Sequence, residues 1–385
     1  MQRKIRIAYI IDELNIGGTE KQLVSTIELI NKDQFEVLLV CLRSSEYFSQ
    51  IDLQCKKMIL NLSSLISIKG LSRFFSLLVY LRKHRIDIVQ TFFFDANIFG
   101  VLAAKLAGVP RIISCRRDMG FWYTPRLLFF LKGVNKLVCR FLVNSYAIKE
   151  NIIKYEFIPE HKIDVIHNGI YLEPFQKKFD TDIIKEKIGL SQSESVVGIV
   201  ANLNRKVKRV DLFLEAAQQV LKKNKSVSFV IIGDGCLRSG LEKLSRRLGL
   251  QDKIFFIGQK EDVCPYLSVF DIGVICSDSE GFSNSILEYA AAGIPVVATD
   301  TGGTRELLKK QNLGCLVPVG DYQGIADAIL EFLRDKPRMA RISINARNIV
   351  RQEYSWEAKI KEIEKYYCQI LEYNKHRPLT PGMGL

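Results

Sequence analysis

Residues 280–307 read EGFSNSILEYAAAGIPVVATDTGGTREL, and the class of fold is decided in this run. Glu280 closes a strand–loop segment and Gly281 permits a tight turn. A helix then starts near Ser283, with its free amides pointing back at the loop. Ala290, Ala291, Ala292 and Gly293 are small enough to bring that helix close to a sheet, and Pro295–Thr299 forms the next strand. Asp300–Glu306 again leaves a strand and opens a helix through two glycines. Strand, turn and helix, repeated in this way, make a parallel βαβ unit.

The same alternation runs outward in both directions. Before the junction, strands are predicted at Ile5–Ile11, Val37–Leu42, Ile86–Thr91, Arg111–Ser114, Phe141–Asn144 and Ile163–His167. Helices are predicted at Glu20–Leu29, Ser72–His84 and Ala96–Ala107. The pattern restarts with strands at Ser195–Val200, Val227–Ile232, Lys253–Ile257, Ile272–Ile275, Pro295–Thr299 and Gly314–Val317. A chain of 385 residues exceeds what one hydrophobic core covers comfortably. Two open α/β domains are expected, 1–169 and 182–350, with 170–181 around Pro174 as a hinge. A closing helix in 351–375 is expected to pack back towards the first domain, and the Pro- and Gly-containing tail 376–385 to fray.

Hydrophobic residues make up 48% and charged residues 25%, a globular rather than a disordered balance. The nine cysteines are scattered without zinc spacing. With no leader-like segment and no apolar stretch near 20 residues, this suits a reduced protein, cytoplasmic or peripheral on the inner face of a membrane. The net charge is +13, and residues 1–170 hold 24 Lys/Arg against 15 Asp/Glu. That basic half suggests an anionic partner. No helix-turn-helix, RNA-recognition or zinc module is present, so nucleic acid is not expected.

Ligands of open parallel sheets sit outside the carboxyl ends of the strands. Gly17 and Gly18 lie in a Gly-rich loop that could approach an anion but also makes a tight turn. Asn202–Arg209 carries Arg205, Lys206, Lys208 and Arg209 directly after a strand. Four cations in five positions suit a diphosphate, each charge-assisted bond being worth about 1.5–3 kcal/mol. Glu288 follows Glu280 by eight residues, so one carboxylate addresses a ligand above the helix and the other a group beside its first turns. Gly233-Asp234-Gly235 lacks the third glycine of a dinucleotide fingerprint.

The run from Glu280 to Leu307, with its Glu-x7-Glu pair, resembles the donor-binding core of glycosyltransferase family 4. GGTEK (17–21), KIDVIHNGI (162–170), ANLNRKVKRVDLFLEAA (201–217), FVIIGDG (229–235) and FIGQKEDV (256–263) extend the likeness along the chain. The resemblance implies a GT-B fold: two Rossmann-like, doubly wound parallel-sheet domains facing each other across a cleft. It implies a retaining, metal-independent hexosyl transfer from a nucleotide-sugar, with no cofactor. Arg205 and Lys208 would hold the diphosphate, Glu288 the ribose, and Glu280 a hydroxyl of the donor sugar. Asn204, Gly281 and the amides of Phe282, Ser283 and Asn284 would complete the donor site, with Gly17 and Gly18 against the diphosphate. Backbone at Gly258, Asp262 and Val263 would line the base pocket. Many family members carry histidines after the third strand of the first domain. Here that segment is QTFFFDAN (90–97), leaving Asp95 as the ionisable candidate for catalysis, or as an N-cap for a helix starting at Ala96.

The acceptor, a saccharide or lipid-linked saccharide of bacterial-type surface polysaccharide synthesis, would bind the first domain. Arg116–Lys132 interleaves cations with Phe121, Trp122, Tyr123, Phe129 and Phe130, and Arg73-Phe74-Phe75 precedes Leu77-Leu78 and Arg82-Lys83. Both suit an anionic membrane surface, or equally helices with apolar residues on the core and cations in water. UDP-sugar is the expected donor. An inactive GT-B partner subunit, a sugar-nucleotide epimerase and a phosphorylase are the rival readings.

Overall fold

The computed structural model describes residues 3–65, 67–192 and 194–372; the tail 376–385 lies outside them. The chain divides into two compact units, changing after His167 and again after Trp356.

The first unit runs β1 (Ile5–Ile11), α1 (Gly18–Leu29), β2 (Phe35–Cys41), α2 (Glu46–Gln50), β3 (Lys56–Ile59), α3 (Ile68–Lys83) and β4 (Ile88–Phe92). It continues α4 (Phe94–Ala107), β5 (Arg111–Arg116), α5 (Pro125–Asn135), β6 (Arg140–Val143), α6 (Tyr146–Glu156) and β7 (Ile163–Val165). Its seven parallel strands lie in the order β3-β2-β1-β4-β5-β6-β7. The strands alternate their side chains between two cores. On one face Ala8, Ile10, Val89 and Phe141 meet α3, α4, α5 and α6. On the other Ile7, Tyr9, Leu39 and Ile113 meet α1 and the closing helix. Burial on both faces is what makes these strands read as continuous apolar runs. β3 escaped the sequence reading because it is an edge strand of only four residues with two exposed lysines.

The second unit contains α7 (Glu173–Gln176), α8 (Thr181–Lys187), β8 (Ser195–Val200), α9 (Val210–Lys223), β9 (Val227–Ile232), α10 (Arg238–Arg247), β10 (Ile254–Gly258) and α11 (Cys264–Leu267). β11 (Ile272–Ile275), α12 (Asn284–Ala292), β12 (Val296–Thr299), α13 (Gly303–Gln311), β13 (Gly314–Val317), α14 (Tyr322–Arg334) and α15 (Lys336–Ile349) follow. Six parallel strands take the order β10-β9-β8-β11-β12-β13. α12 lies close to the sheet through a glycine of the strand: Gly273 of β11 is so near Tyr289 that a Cβ there would come within 2.6 Å of the ring. Tyr289 in turn accepts the Val200 amide at 2.8 Å through its hydroxyl.

The stretch 170–181, expected as a hinge, belongs to the second unit. Ile170 bridges Ser355 and accepts the Trp356 amide, and Leu172 and Phe175 pack against the apolar cluster around α12. α16 (Trp356–Glu372) carries Tyr366, Tyr367 and Ile370 into the core of the first unit. Tyr367 shares a 2.9 Å hydroxyl bond with Tyr9 and donates to Gln90 at 2.8 Å.

Candidate active site

In each sheet the strand order reverses once, between β8 and β11 in the second unit and between β1 and β4 in the first. Loops leaving adjacent strands at such a point diverge and leave a crevice.

In the second unit this topology brings together residues 72 positions apart. Lys208, in a short 3₁₀ turn after β8, donates to Glu280 Oε1 at 2.5 Å. Ser277 donates to the same oxygen at 2.6 Å. Glu280 is 8% exposed, so its charge is largely removed from water and is matched by a cation and a hydroxyl. The two loops are stitched by the Asp278 amide on the Val207 carbonyl at 2.9 Å. Arg209 pairs with Asp211 and Asp278. Of the four cations expected to face a diphosphate, Arg209 is therefore committed to holding the loop. Arg205 and Lys206 stand exposed at its tip.

Gly302-Gly303 is a buttress for Glu280. Gly302 has φ +46 and lies so close that a Cβ would come within 1.7 Å of the Glu280 carbonyl oxygen. The Gly303 amide donates to that carbonyl at 3.1 Å. Glycine is the residue that accepts both the left-handed backbone and the close approach.

The remaining expected donor residues line the same end of the sheet. Gly281 and buried Phe282 lead into Ser283 at the N-cap of α12, where the serine makes no side-chain capping bond. Asn284 opens the helix and accepts from Asn168 at 2.8 Å. Glu288 is half-buried one turn further on. Its charge reaches Cys264, whose thiol is pushed up to about 12 by burial, then by Asp262 and Glu288. Asp262 takes the Cys264 amide at 2.9 Å, so its side chain caps α11 beside Val263. Asn204 accepts the Cys236 amide at 2.8 Å, and Gly258 accepts the Gly233 amide at 3.0 Å. These bonds join the loops after β8, β9 and β10. Ser277 carries no signal in the sequence, and Asn168 is legible there only as part of the junction run 162–170, because each is an unremarkable polar residue until the fold places it.

The first unit arranges its own charges differently. Asp12, just past β1, accepts the amides of Ala96 at 2.6 Å and Asp95 at 3.2 Å. It thereby caps α4, whose formal N-cap residue, Phe93, makes no side-chain bond. Burial pushes the Asp12 carboxyl up to about 6, with Asp95 adding to the rise and the two amides opposing it. Asp95 is thus not the N-cap: it lies in the first turn of α4 and is ion-paired with Arg43. At Gly17-Gly18, Glu20 sits in the first turn of α1 with its carboxylate against Gly17, and burial raises its pKa. Deeper still, Arg116 makes two 2.7 Å bonds to Glu156, which also accepts from Tyr123 and Asn135. Burial opposes the Glu156 charge, but Arg116 and those donors hold its carboxyl below the usual range. Arg116, expected in an exposed basic and aromatic cluster, is instead core.

Family models match both units: Glycosyltransferase Family 4 over residues 16–174 and Glycosyl transferases group 1 over residues 194–335. An alpha-D-kanosaminyltransferase of Streptomyces kanamyceticus is 30% identical over 71% of this chain and 74% of its own. The chain belongs to glycosyltransferase family 4. The UDP-Gal:alpha-D-GlcNAc-diphosphoundecaprenol alpha-1,3-galactosyltransferase of Escherichia coli is 28% identical over 96% of this chain and 98% of its own. The structure of Anabaena Alr3699/HepE in complex with UDP superposes with a TM-score of 0.84 at 20% identity, covering 95% of this chain and all of the other. The fold of this family-4 protein is accordingly GT-B, and its activity is glycosyl transfer.

Proposed function

We propose that this family-4 transferase takes its sugar from a UDP-sugar, retains the anomeric configuration without a metal ion or other cofactor, and serves a lipid-linked saccharide at an anionic membrane surface. The observation that carries the proposal is the convergence of Lys208, Ser277 and Glu280 at the switch point of the second unit. Both bonds to Glu280 fall on Oε1, which leaves Oε2 to accept a hydroxyl of the donor sugar. Lys208 and Arg205 supply the positive charge against which a diphosphate departs, the part a divalent ion plays in other transferases. Phe282, Ser283 and Asn284 present amides at the start of α12 for the phosphate, and Glu288 is placed one turn on for the ribose. In the reaction the bond from C1 to phosphate oxygen breaks, and the acceptor hydroxyl forms its bond on the face just vacated. Its proton passes to the departing phosphate. The Escherichia coli relative is named for a UDP-Gal donor and a diphosphoundecaprenol acceptor, and the Anabaena neighbour holds UDP; both support this choice of substrates. Among the described residues no helix is long and apolar enough to cross a membrane, so the membrane would be met at its surface.

The test is a panel of UDP- and GDP-sugars, read by thermal shift and by release of nucleotide, with and without EDTA. Stabilisation and turnover with one UDP-sugar, unchanged by EDTA and giving the retained anomer by NMR, are expected. A response to GDP-sugars alone, or its loss in EDTA, would overturn the donor or the metal-free assignment respectively.

A further inference from the structure

Four helices of the first unit, α3 to α6, lie side by side on one face of its sheet and share one core. α3 is apolar on two sides. Its inner side buries Leu77, Leu78 and Leu81, with Phe74 packed against the same core. On the other side Ile68, Leu71, Phe75 and Val79 are all exposed, Ile68 to 91%. At 100° per residue these four positions fall within an arc of about 80°, a continuous stripe rather than scattered surface residues.

The neighbouring helices of the same layer also expose apolar side chains. Leu106 of α4 is exposed, as are Phe129 and Phe130 on α5. Phe157, just past α6, holds φ +55, a left-handed cap position that favours glycine. Its ring is nonetheless 74% exposed, under the ammonium of Lys132. Charge follows the same layer: the four helices contain nine Lys/Arg and three Asp/Glu. Of the three acids, Glu156 is buried against Arg116 and Asp95 is paired with Arg43. α3 and α5 contain no acid; on α3 Lys69, Arg73 and Lys83 border one edge of the stripe, and Arg82 at its end donates to the Leu106 carbonyl at 2.6 Å.

Contiguous exposed apolar surface marks a contact, and an apolar stripe bordered by cations fits an anionic bilayer. We infer that the outer face of the α3–α6 layer is the membrane-docking surface. Its phenylalanines and aliphatic side chains enter the headgroup boundary and its lysines and arginines lie over anionic lipid. The inference rests on the membrane reading proposed above and assigns it to a place.

The full chain should sediment with vesicles of phosphatidylcholine and phosphatidylglycerol at low salt. It should be released by high salt and bind pure phosphatidylcholine far less. Phe75→Ser with Val79→Ser, and separately Phe129→Ser with Phe130→Ser, should each weaken partition about tenfold or more. The Ile183→Ser and Ile344→Ser controls, at exposed positions of the second unit, should leave it unchanged. All four positions of the double variants are exposed, so equal melting temperatures are expected. Wild-type binding that survives both double variants would overturn the assigned face and leave the membrane reading standing. Absence of wild-type binding would overturn both. Self-association of the chain that is lost in the same variants, without vesicle binding, would assign the stripe to a protein contact and overturn the inference.

Discussion

The two switch points of this protein, built on the same topology, use charge in different ways. In the second unit a lysine and a glutamate from loops 72 residues apart meet at the mouth of the sheet, braced by backbone contacts from two further loops. In the first unit the charges at the corresponding ends are spent on the unit's own structure: Asp12 on the amides of α4, Arg43 on Asp95, Arg116 on Glu156. Removing a charge from the second unit should therefore act on activity, and removing one from the first should act on stability.

The largest expected effect is at Glu156→Ala. It leaves the Arg116 guanidinium buried without its partner, and breaking such a pair costs about 3–5 kcal/mol. Hydrogen exchange should show amides of β5, β6 and α6 opening sooner, while those of the second sheet keep their protection. Equal loss in both units would break the contrast.

Next is Lys208→Ala, expected to lower kcat/KM by about 10²–10³-fold, in the range found when one preorganised charge-stabilising donor is removed. Its melting temperature should fall less than that of Glu156→Ala, because Ser277 still donates to Glu280 and the lysine side of the pair is 21% exposed. A variant that unfolded but kept its turnover when folded would make the second unit resemble the first.

The smallest effect concerns Asp12, and it sharpens the comparison through pH. Its carboxyl is raised from 3.8 to about 6 in the folded chain, so between those values the folded state holds a proton that the unfolded state has released. Stability should fall as the pH rises through roughly 4 to 6 and stay level for this group above it, by at most about 3 kcal/mol. Asp12→Asn keeps an oxygen for the α4 amides and should flatten that slope in urea titrations run from pH 4 to 7. An unchanged slope would show that Asp12 is not its source.

The loops of the second unit were legible because their chemistry is written in short runs. Glu280 to Glu288 lie on one loop and one helix, and four cations after β8 fall within five positions. The first unit was misread wherever a residue's partner was distant. Arg116 looked like part of a basic, aromatic surface because Glu156 stands 40 positions away. Asp95 looked like a cap because no local signal shows that Asp12, 83 positions earlier, holds the first amides of a helix that already includes Asp95. Phe74 and Phe75 are adjacent and chemically alike, yet one packs on the core and the other faces solvent. Periodicity alone did not reveal the exposed stripe, since both sides of α3 are apolar.

By itself, then, the sequence determined the two parallel sheets, the loops at their carboxyl ends and the carboxylates and cations those loops carry. All of these follow from local periodicity, glycine placement and residue chemistry. Only the tertiary structure decided which charges meet one another, that the division falls after His167 and Trp356 rather than at 170–181, and which side of α3 is left uncovered. Each of these depends on contacts between residues far apart in the chain, and no local pattern encodes the partner.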